Sequence, residues 1–114
     1  MKRKTVKNLS DYKTYDDWVA AIFADNPKQA DAFLKSALEE FERDNDIAAL
    51  LLALRQIAKA RGGFTELSNK TGITRETLYK TLSKTGNPTI VTFKSILDAL
   101  GYGMTLRFAR ARAV

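Results

Sequence analysis

The chain has 114 residues, 45% of them hydrophobic and 28% charged, with a net charge of +6 and neither cysteine nor histidine. That length suits one domain with a real core, and the missing thiols and imidazoles remove disulfides, the usual zinc sites and the commonest general base, so neither an enzyme nor a bound metal or cofactor is expected. No apolar run approaches the ~18 residues of a membrane span, and the basic start MKRKTVKNLS lacks the apolar centre of a signal peptide, so a cytoplasmic protein without membrane contact is expected.

Charge divides the chain. Residues 1–10 carry Lys2, Arg3, Lys4 and Lys7 and no acid; residues 11–46 hold ten carboxylates against four cations; residues 47–114 hold eleven basic groups against Glu66, Glu76 and Asp98. The basic second half suits phosphate binding, whereas the acidic first half would be repelled by DNA and either faces elsewhere, faces a basic partner or simply forms solvated helix faces.

Residues 1–13 read as a basic, flexible arm. Residues 14–46 read as acidic N-terminal helices. In the first, Asp16 and Asp17 occupy the opening turn and Trp18, Ala21 and Ile22 share an apolar face, with Val19 and Phe23 adjoining it. Asn26, Pro27 and Gln29 give a capping-box pattern for the second. Ala30, Phe33, Leu34, Ala37, Leu38 and Phe41 then make a one-sided apolar stripe. Asp44, Asn45 and Asp46 supply a break and a cap.

Residues 47–101 read as a core built on helices. Ile47 to Arg61 is apolar nearly all round, which predicts a buried central helix closed by Gly62 and Gly63. In Thr65–Leu82, TELSNKTGITRETLYKTL, the apolar residues Leu67, Ile73, Leu78 and Leu82 give two short segments one inner side each. Gly72 stands where the chain reverses and Thr74 where the second segment needs a cap, which together predict helix, tight turn, helix. Arg75, Glu76, Tyr79 and Lys80 then point outward, as major-groove reading requires. A polar loop from Ser83 to Pro88 follows. Phe93, Ile96, Leu97 and Leu100 predict one more helix, ending at Gly101. In residues 102–114, Met104, Leu106 and Phe108 alternate with Thr105 and Arg107. This pattern predicts a short strand needing a second copy or a partner to pair with, followed by a basic tail.

The pattern L-x-x-x-x-G-I-T-x-x-x-L, then G-N-P-T, then I-L-x-A-L-G, resembles the repressor-type helix-turn-helix domain of the lambda and Cro class. With ALRQIAKARGG and LYKTLSKTGNPTIVTF, the chain more narrowly resembles the prophage-type addiction-module antidotes, antitoxins of type II toxin–antitoxin pairs. The resemblance covers roughly residues 30–106, with a looser likeness back to Tyr12. One departure is that the class places an apolar residue where Thr81 stands, a role Leu82 takes here.

The resemblance implies an all-α, lambda-repressor-like five-helix domain with additional N-terminal helices and a short C-terminal strand. It implies a homodimer that binds a double-stranded DNA operator, blocks a toxin of the RelE or HigB type, and represses the shared promoter. Carried over by position, Arg75, Glu76 and Lys80 would read base edges. Thr74, Thr77 and Tyr79 would touch sugar or phosphate, and Lys70, Lys84 and Asn87 would position the protein on the backbone. By charge sign alone, and not by the resemblance, the acidic helices from Asp16 to Asp46 would be a sensible surface for a basic toxin. The alternatives are a stand-alone prophage-type repressor using the same domain without a toxin, and a pure interaction module that binds no DNA.

Overall fold

The computed structural model describes residues 8–105 and 107. The described residues form one 3-10 turn, Leu9–Asp11, and six α-helices: α1 (Tyr15–Asp25), α2 (Pro27–Asp44), α3 (Ile47–Ala60), α4 (Gly63–Thr71), α5 (Arg75–Thr81) and α6 (Ile90–Ala99). No strand occurs among them, and none of the helices is long and apolar enough to cross a membrane.

Each helix boundary has a local cause. Thr14 accepts the Asp17 N–H at 3.0 Å to open α1, and Asp46 accepts the Ala49 N–H at 3.4 Å to open α3. Asn45 ends α2 in the left-handed region at φ 58°, a conformation that asparagine tolerates better than most residues. The capping box expected of Asn26 and Gln29 is not formed, because Asn26 works through its backbone instead. Its N–H closes α1 on the Ile22 carbonyl, and its own carbonyl accepts the Gln29 N–H at 3.0 Å. With Pro27 at the first helical position, one residue serves both ends.

The central place of α3 follows from its all-round apolar surface. Leu50, Leu51, Ala53, Leu54, Ile57 and Ala58 are buried, with α1 and α2 packed on one side and α4 on another. Leu78 and Leu82 of the following hairpin and Ile96 of α6 complete the fully buried set. Each such side chain contributes about 1.5–3 kcal/mol relative to leaving it in water. The inner face of α1 is rolled from the expected one: Val19, Ala20 and Phe23 are buried, while Trp18 and Ile22 lie at the margin of the core. The α2 stripe is only partly covered: Ala30, Leu34 and Ala37 are buried, whereas Phe33, its ring centroid 5.4 Å from that of Phe23, and Leu38 remain 45% and 37% exposed.

Charged pairs tie the front helices to α3. Arg55 Nε lies 3.1 Å from Asp16 Oδ2 as an ion pair without hydrogen-bond alignment, and Lys59 Nζ lies 3.2 Å from Asp17 Oδ1. The Lys59 hydrogen bond, with help from the Thr14 hydroxyl, holds the Asp17 carboxyl below its ordinary range. Arg61 donates to the Leu100 carbonyl at 2.7 Å and to Asp31 Oδ1 at 3.2 Å, with its guanidinium 4.8 Å above the Tyr102 ring.

Tyr102, expected to begin a strand, finishes α6 instead. Gly101 takes φ 91°, the Tyr102 N–H returns to the Leu97 carbonyl and the Gly101 N–H to Asp98, which is a Schellman closure. The Tyr102 hydroxyl donates to Asp31 Oδ1 at 2.7 Å. Burial and that carboxylate push its pKa up to about 12. Residues 103–105 and 107 carry no strand, as a single strand with nothing to pair with requires; Leu106 and Phe108 lie outside the described residues. So do residues 1–7 of the expected arm, whose described end is the Leu9–Asp11 turn.

Candidate nucleic-acid interface

The helical hairpin predicted from Thr65 to Leu82 is present as α4 and α5, and its turn is fixed by a dense set of local bonds. Gly72 adopts φ 76° and returns its N–H to the Ser68 carbonyl at 2.8 Å. Thr71 donates its hydroxyl to the Leu67 carbonyl and accepts the Ile73 N–H, while the Ser68 hydroxyl donates to the Ile73 carbonyl. Thr74, extended at φ −62° and ψ 150°, then caps α5 by accepting the Thr77 N–H at 3.2 Å. Nearly every polar group of the turn is spoken for within it, so the angle between α4 and α5 does not depend on a ligand.

Leu78 and Leu82 anchor α5 in the core. With Thr81 only half-buried, Leu82 is the residue that holds the end of the helix down. At 100° per residue, Glu76 and Lys80 stand on the side opposite these leucines, with Thr77 beside them. Arg75 and Tyr79 lie on the flank toward α4. There Arg75 Nη1 donates to Thr65 Oγ1 at 3.3 Å, and the Tyr79 ring stacks on Phe64 with centroids 4.2 Å apart.

All nine residues singled out from the sequence, Lys70, Thr74, Arg75, Glu76, Thr77, Tyr79, Lys80, Lys84 and Asn87, are solvent-exposed. The hairpin brings Arg75, Glu76, Thr77, Tyr79 and Lys80 onto one short helix. Lys70 sits at the end of α4, and Lys84 and Asn87 sit on the loop after α5. The cations are lightly held. Lys80 lies 3.6 Å from Glu76 and Lys70 lies 3.1 Å from Glu66, both one helical turn apart with side chains half or more exposed. Such pairs contribute about 0.3–0.5 kcal/mol and exchange readily for another anion. Tyr79 differs from the expected sugar or phosphate neighbour in that its ring also packs, on Phe64 and beneath the Arg55 guanidinium at 5.5 Å.

The loop after α5 is placed by contact rather than by helix. Ser83 donates its hydroxyl to the Lys80 carbonyl at 2.7 Å, and the Gly86 N–H returns to the Ser83 carbonyl at 3.1 Å. A side chain at Gly86 would collide with the Thr81 carbonyl oxygen, so glycine lets this loop lie against the end of α5. Two supporting residues have no sequence signal of their own. Arg55 donates to the Leu82 carbonyl at 3.3 Å from inside α3, and Phe64 forms the platform under Tyr79; both act across the fold, beyond the reach of local spacing. Among the described residues no cluster of carboxylates could hold a metal ion.

A rigid turn, a short exposed helix carrying cations and hydrogen-bonding side chains, and a loop with two more polar groups beside it can dock against a polyanion without rearrangement. A family model described as "Probable addiction module antidote protein" matches residues 14–108, which takes in all six helices. The chain is also similar to an uncharacterized protein of Haemophilus influenzae, 38% identical over 73 residues that make up 64% of this chain and 74% of that one. No solved structure matches.

Proposed function

The chain belongs to the addiction-module antidote family, and we propose that it is a cytoplasmic antitoxin that neutralises a toxin of the RelE or HigB type and represses the promoter the two share. It acts by binding and has no catalytic role. In this reading α5 enters the major groove of the operator, with Arg75, Glu76 and Lys80 at base edges. Arg75 and Lys80 donate to guanine, and Glu76 accepts from the cytosine amine. Thr74, Thr77 and Tyr79 meet the sugar–phosphate chain, and Lys70, Lys84 and Asn87 set the register. Two copies related by a two-fold axis would cover the two halves of the operator.

The observation that supports the DNA part is the pre-set α4–turn–α5 angle with its cations free of the core. Arg55 and Lys59 of α3 and Arg61 at its cap are instead tied to carboxylates and carbonyls. The antitoxin part is tested by expressing the small reading frames on either side of the gene, each with and without this chain. One of them should arrest growth alone and be silenced when the chain is present. If neither neighbour is toxic, the chain is a lone repressor and the antitoxin reading is lost.

A further inference from the structure

With seven residues, α5 is too short to hold its own direction in water, so its aim is set by what it touches. The local turn and the Thr74 cap fix its front. Its rear is anchored by the buried Leu78 and Leu82, but apolar burial is non-directional and leaves a helix free to roll about its axis. Roll decides base reading. A helix is about 10–12 Å across with its side chains, so a roll of about 10° moves a side-chain tip by about 1 Å, whereas hydrogen-bond distances span only about 0.5 Å. The directional contacts at the rear come from Arg55 of α3: Nη1 donates to the Leu82 carbonyl at 3.3 Å, and the guanidinium lies 5.5 Å from the Tyr79 ring centroid. Its Nε meets Asp16 Oδ2 of α1 at 3.1 Å, while Asp16 Oδ1 accepts from Gln56 Nε2 at 3.1 Å. Gln56 is the one buried polar residue among the described residues. A buried amide is costly unless it is hydrogen-bonded, and this one is spent on holding the Asp16 carboxylate toward Arg55.

We infer that Asp16 and Arg55 are positioning residues for DNA reading: without touching DNA they fix the roll of α5, and with it the aim of Arg75, Glu76 and Lys80. The inference rests on the DNA part of the proposed function and adds that α1, on the acidic side of the chain, belongs to the DNA-binding unit. Arg55 acts through the rear of α5, and Asp16 acts at one remove by aiming the planar fork of Arg55. A lysine at position 55 would keep the charge but not the fork that reaches a carboxylate, a carbonyl and a ring at once. The neighbouring pair supplies the contrast. Lys59 Nζ meets Asp17 Oδ1 at 3.2 Å and joins the same two helices, with no hydrogen bond from either residue to α5 among the described residues.

The test compares Asp16→Asn, Arg55→Lys and Asp17→Asn in the full chain. Affinity is measured for the duplex upstream of the gene and for a scrambled duplex at ~150 mM salt, at a temperature where circular dichroism shows each variant folded. Asp16→Asn and Arg55→Lys should each lower the ratio of the two affinities roughly fivefold or more. The slope of log affinity against log salt should stay that of the native chain, because no phosphate contact is lost. Asp17→Asn should keep the native ratio, although it too removes a pair between α1 and α3. Without DNA, the amide NMR signal of Ser83, whose peptide group contains the Leu82 carbonyl, should move in the first two variants and hold in the third. Arg55→Lys carries the test alone if Asp16→Asn does not fold. A native ratio in either folded variant, from a native chain that does prefer the upstream duplex, overturns the positioning role while the DNA reading stands. An equal loss in Asp17→Asn also overturns it, since the packing of α1 rather than the Arg55 contacts would then be responsible. A native chain with no preference for the upstream duplex removes the DNA reading, and the inference with it.

Discussion

On the front face of α3, Asp16, Asp17 and Asp31 reach across from α1 and α2 to Arg55, Lys59 and Arg61, pairing residues 30 to 42 positions apart in the chain. On the α4–α5 hairpin the only ion pairs among the described residues join neighbours one turn apart, Glu66 with Lys70 and Glu76 with Lys80. The two regions have similar residue types and opposite uses for them. Long-range pairs that are half-buried fasten helices together, and removing one partner leaves the other stranded. Pairs along an exposed helix hold nothing in place, so their cations can leave for phosphate at little cost. Positive charge alone therefore does not single out the proposed DNA face; what sets the hairpin apart is charge that the fold does not need.

The comparison is broken most severely from the core side. Leu54→Ala, at a fully buried position of α3, should lower stability by about 2–5 kcal/mol in urea or guanidinium unfolding, and should weaken DNA binding only through the lost folded fraction. Gly86→Ala is next. Its new methyl meets the Thr81 carbonyl oxygen and crowds Leu51 of α3, so a loss of about 1–3 kcal/mol is expected, together with displacement of the loop that carries Lys84 and Asn87. That variant touches both regions, and weaker binding at a temperature where the chain is fully folded would show that the loop must lie against α5.

Arg75→Ala sharpens the contrast from the hairpin side. It should cost about 1–3 kcal/mol of operator affinity and relax the preference at one base pair. Thermal stability should stay within about 0.5 kcal/mol, because only the bond to Thr65 is lost. The long-range pairs should dominate the pH profile. Asp17 and Asp31 are held below the ordinary carboxyl value of 3.8, chiefly by hydrogen bonds from Lys59 and from Tyr102. Their contribution is full above pH 3.8 and fades as pH falls through their lower folded values. Tyr102 works in the other direction: its pKa rises from 10.0 to about 12, so its contribution is intact below pH 10 and disappears as pH climbs through 12. Asp31→Asn and Tyr102→Phe should flatten the acid and alkaline limbs respectively in pH-dependent thermal unfolding. The smallest effect belongs to Lys84→Ala, which should weaken all duplexes alike and lower the slope of log affinity against log salt by about 1.

How much of this was legible in the sequence follows from the range of each interaction. The hairpin was readable because its signals are local: Gly72 for a positive φ, Thr74 for a cap, and Leu78 and Leu82 four apart for an anchor. The buried centre was readable because α3 is apolar all round. The exposure of Glu76, Thr77 and Lys80 followed from the same periodicity, since a face opposite Leu78 and Leu82 has nowhere to go but outward. What acts across the fold was not readable. Asp16 and Asp17 fit the opening turn of a helix equally well whether solvated or paired with α3, and spacing does not distinguish the two. By spacing alone Arg55 is a cation toward the end of a helix, where cations suit the dipole, yet it braces the end of α5 through the Leu82 carbonyl. Tyr102 shows the limit most sharply: an alternating pattern suggested a strand from it onward, while a glycine before it and Asp31 on a distant helix made it the last lock on α6.

The central claim is that α5 reads DNA with side chains the fold leaves free. The most direct test is titration of the full chain against the duplex upstream of its own gene and a scrambled duplex, between ~50 and ~200 mM salt, for the native sequence and for Arg75→Ala. The account predicts that the native chain keeps a preference for the upstream duplex at the higher salt and that Arg75→Ala loses most of it. Equal affinity for both duplexes, or a preference that survives Arg75→Ala unchanged, would contradict it.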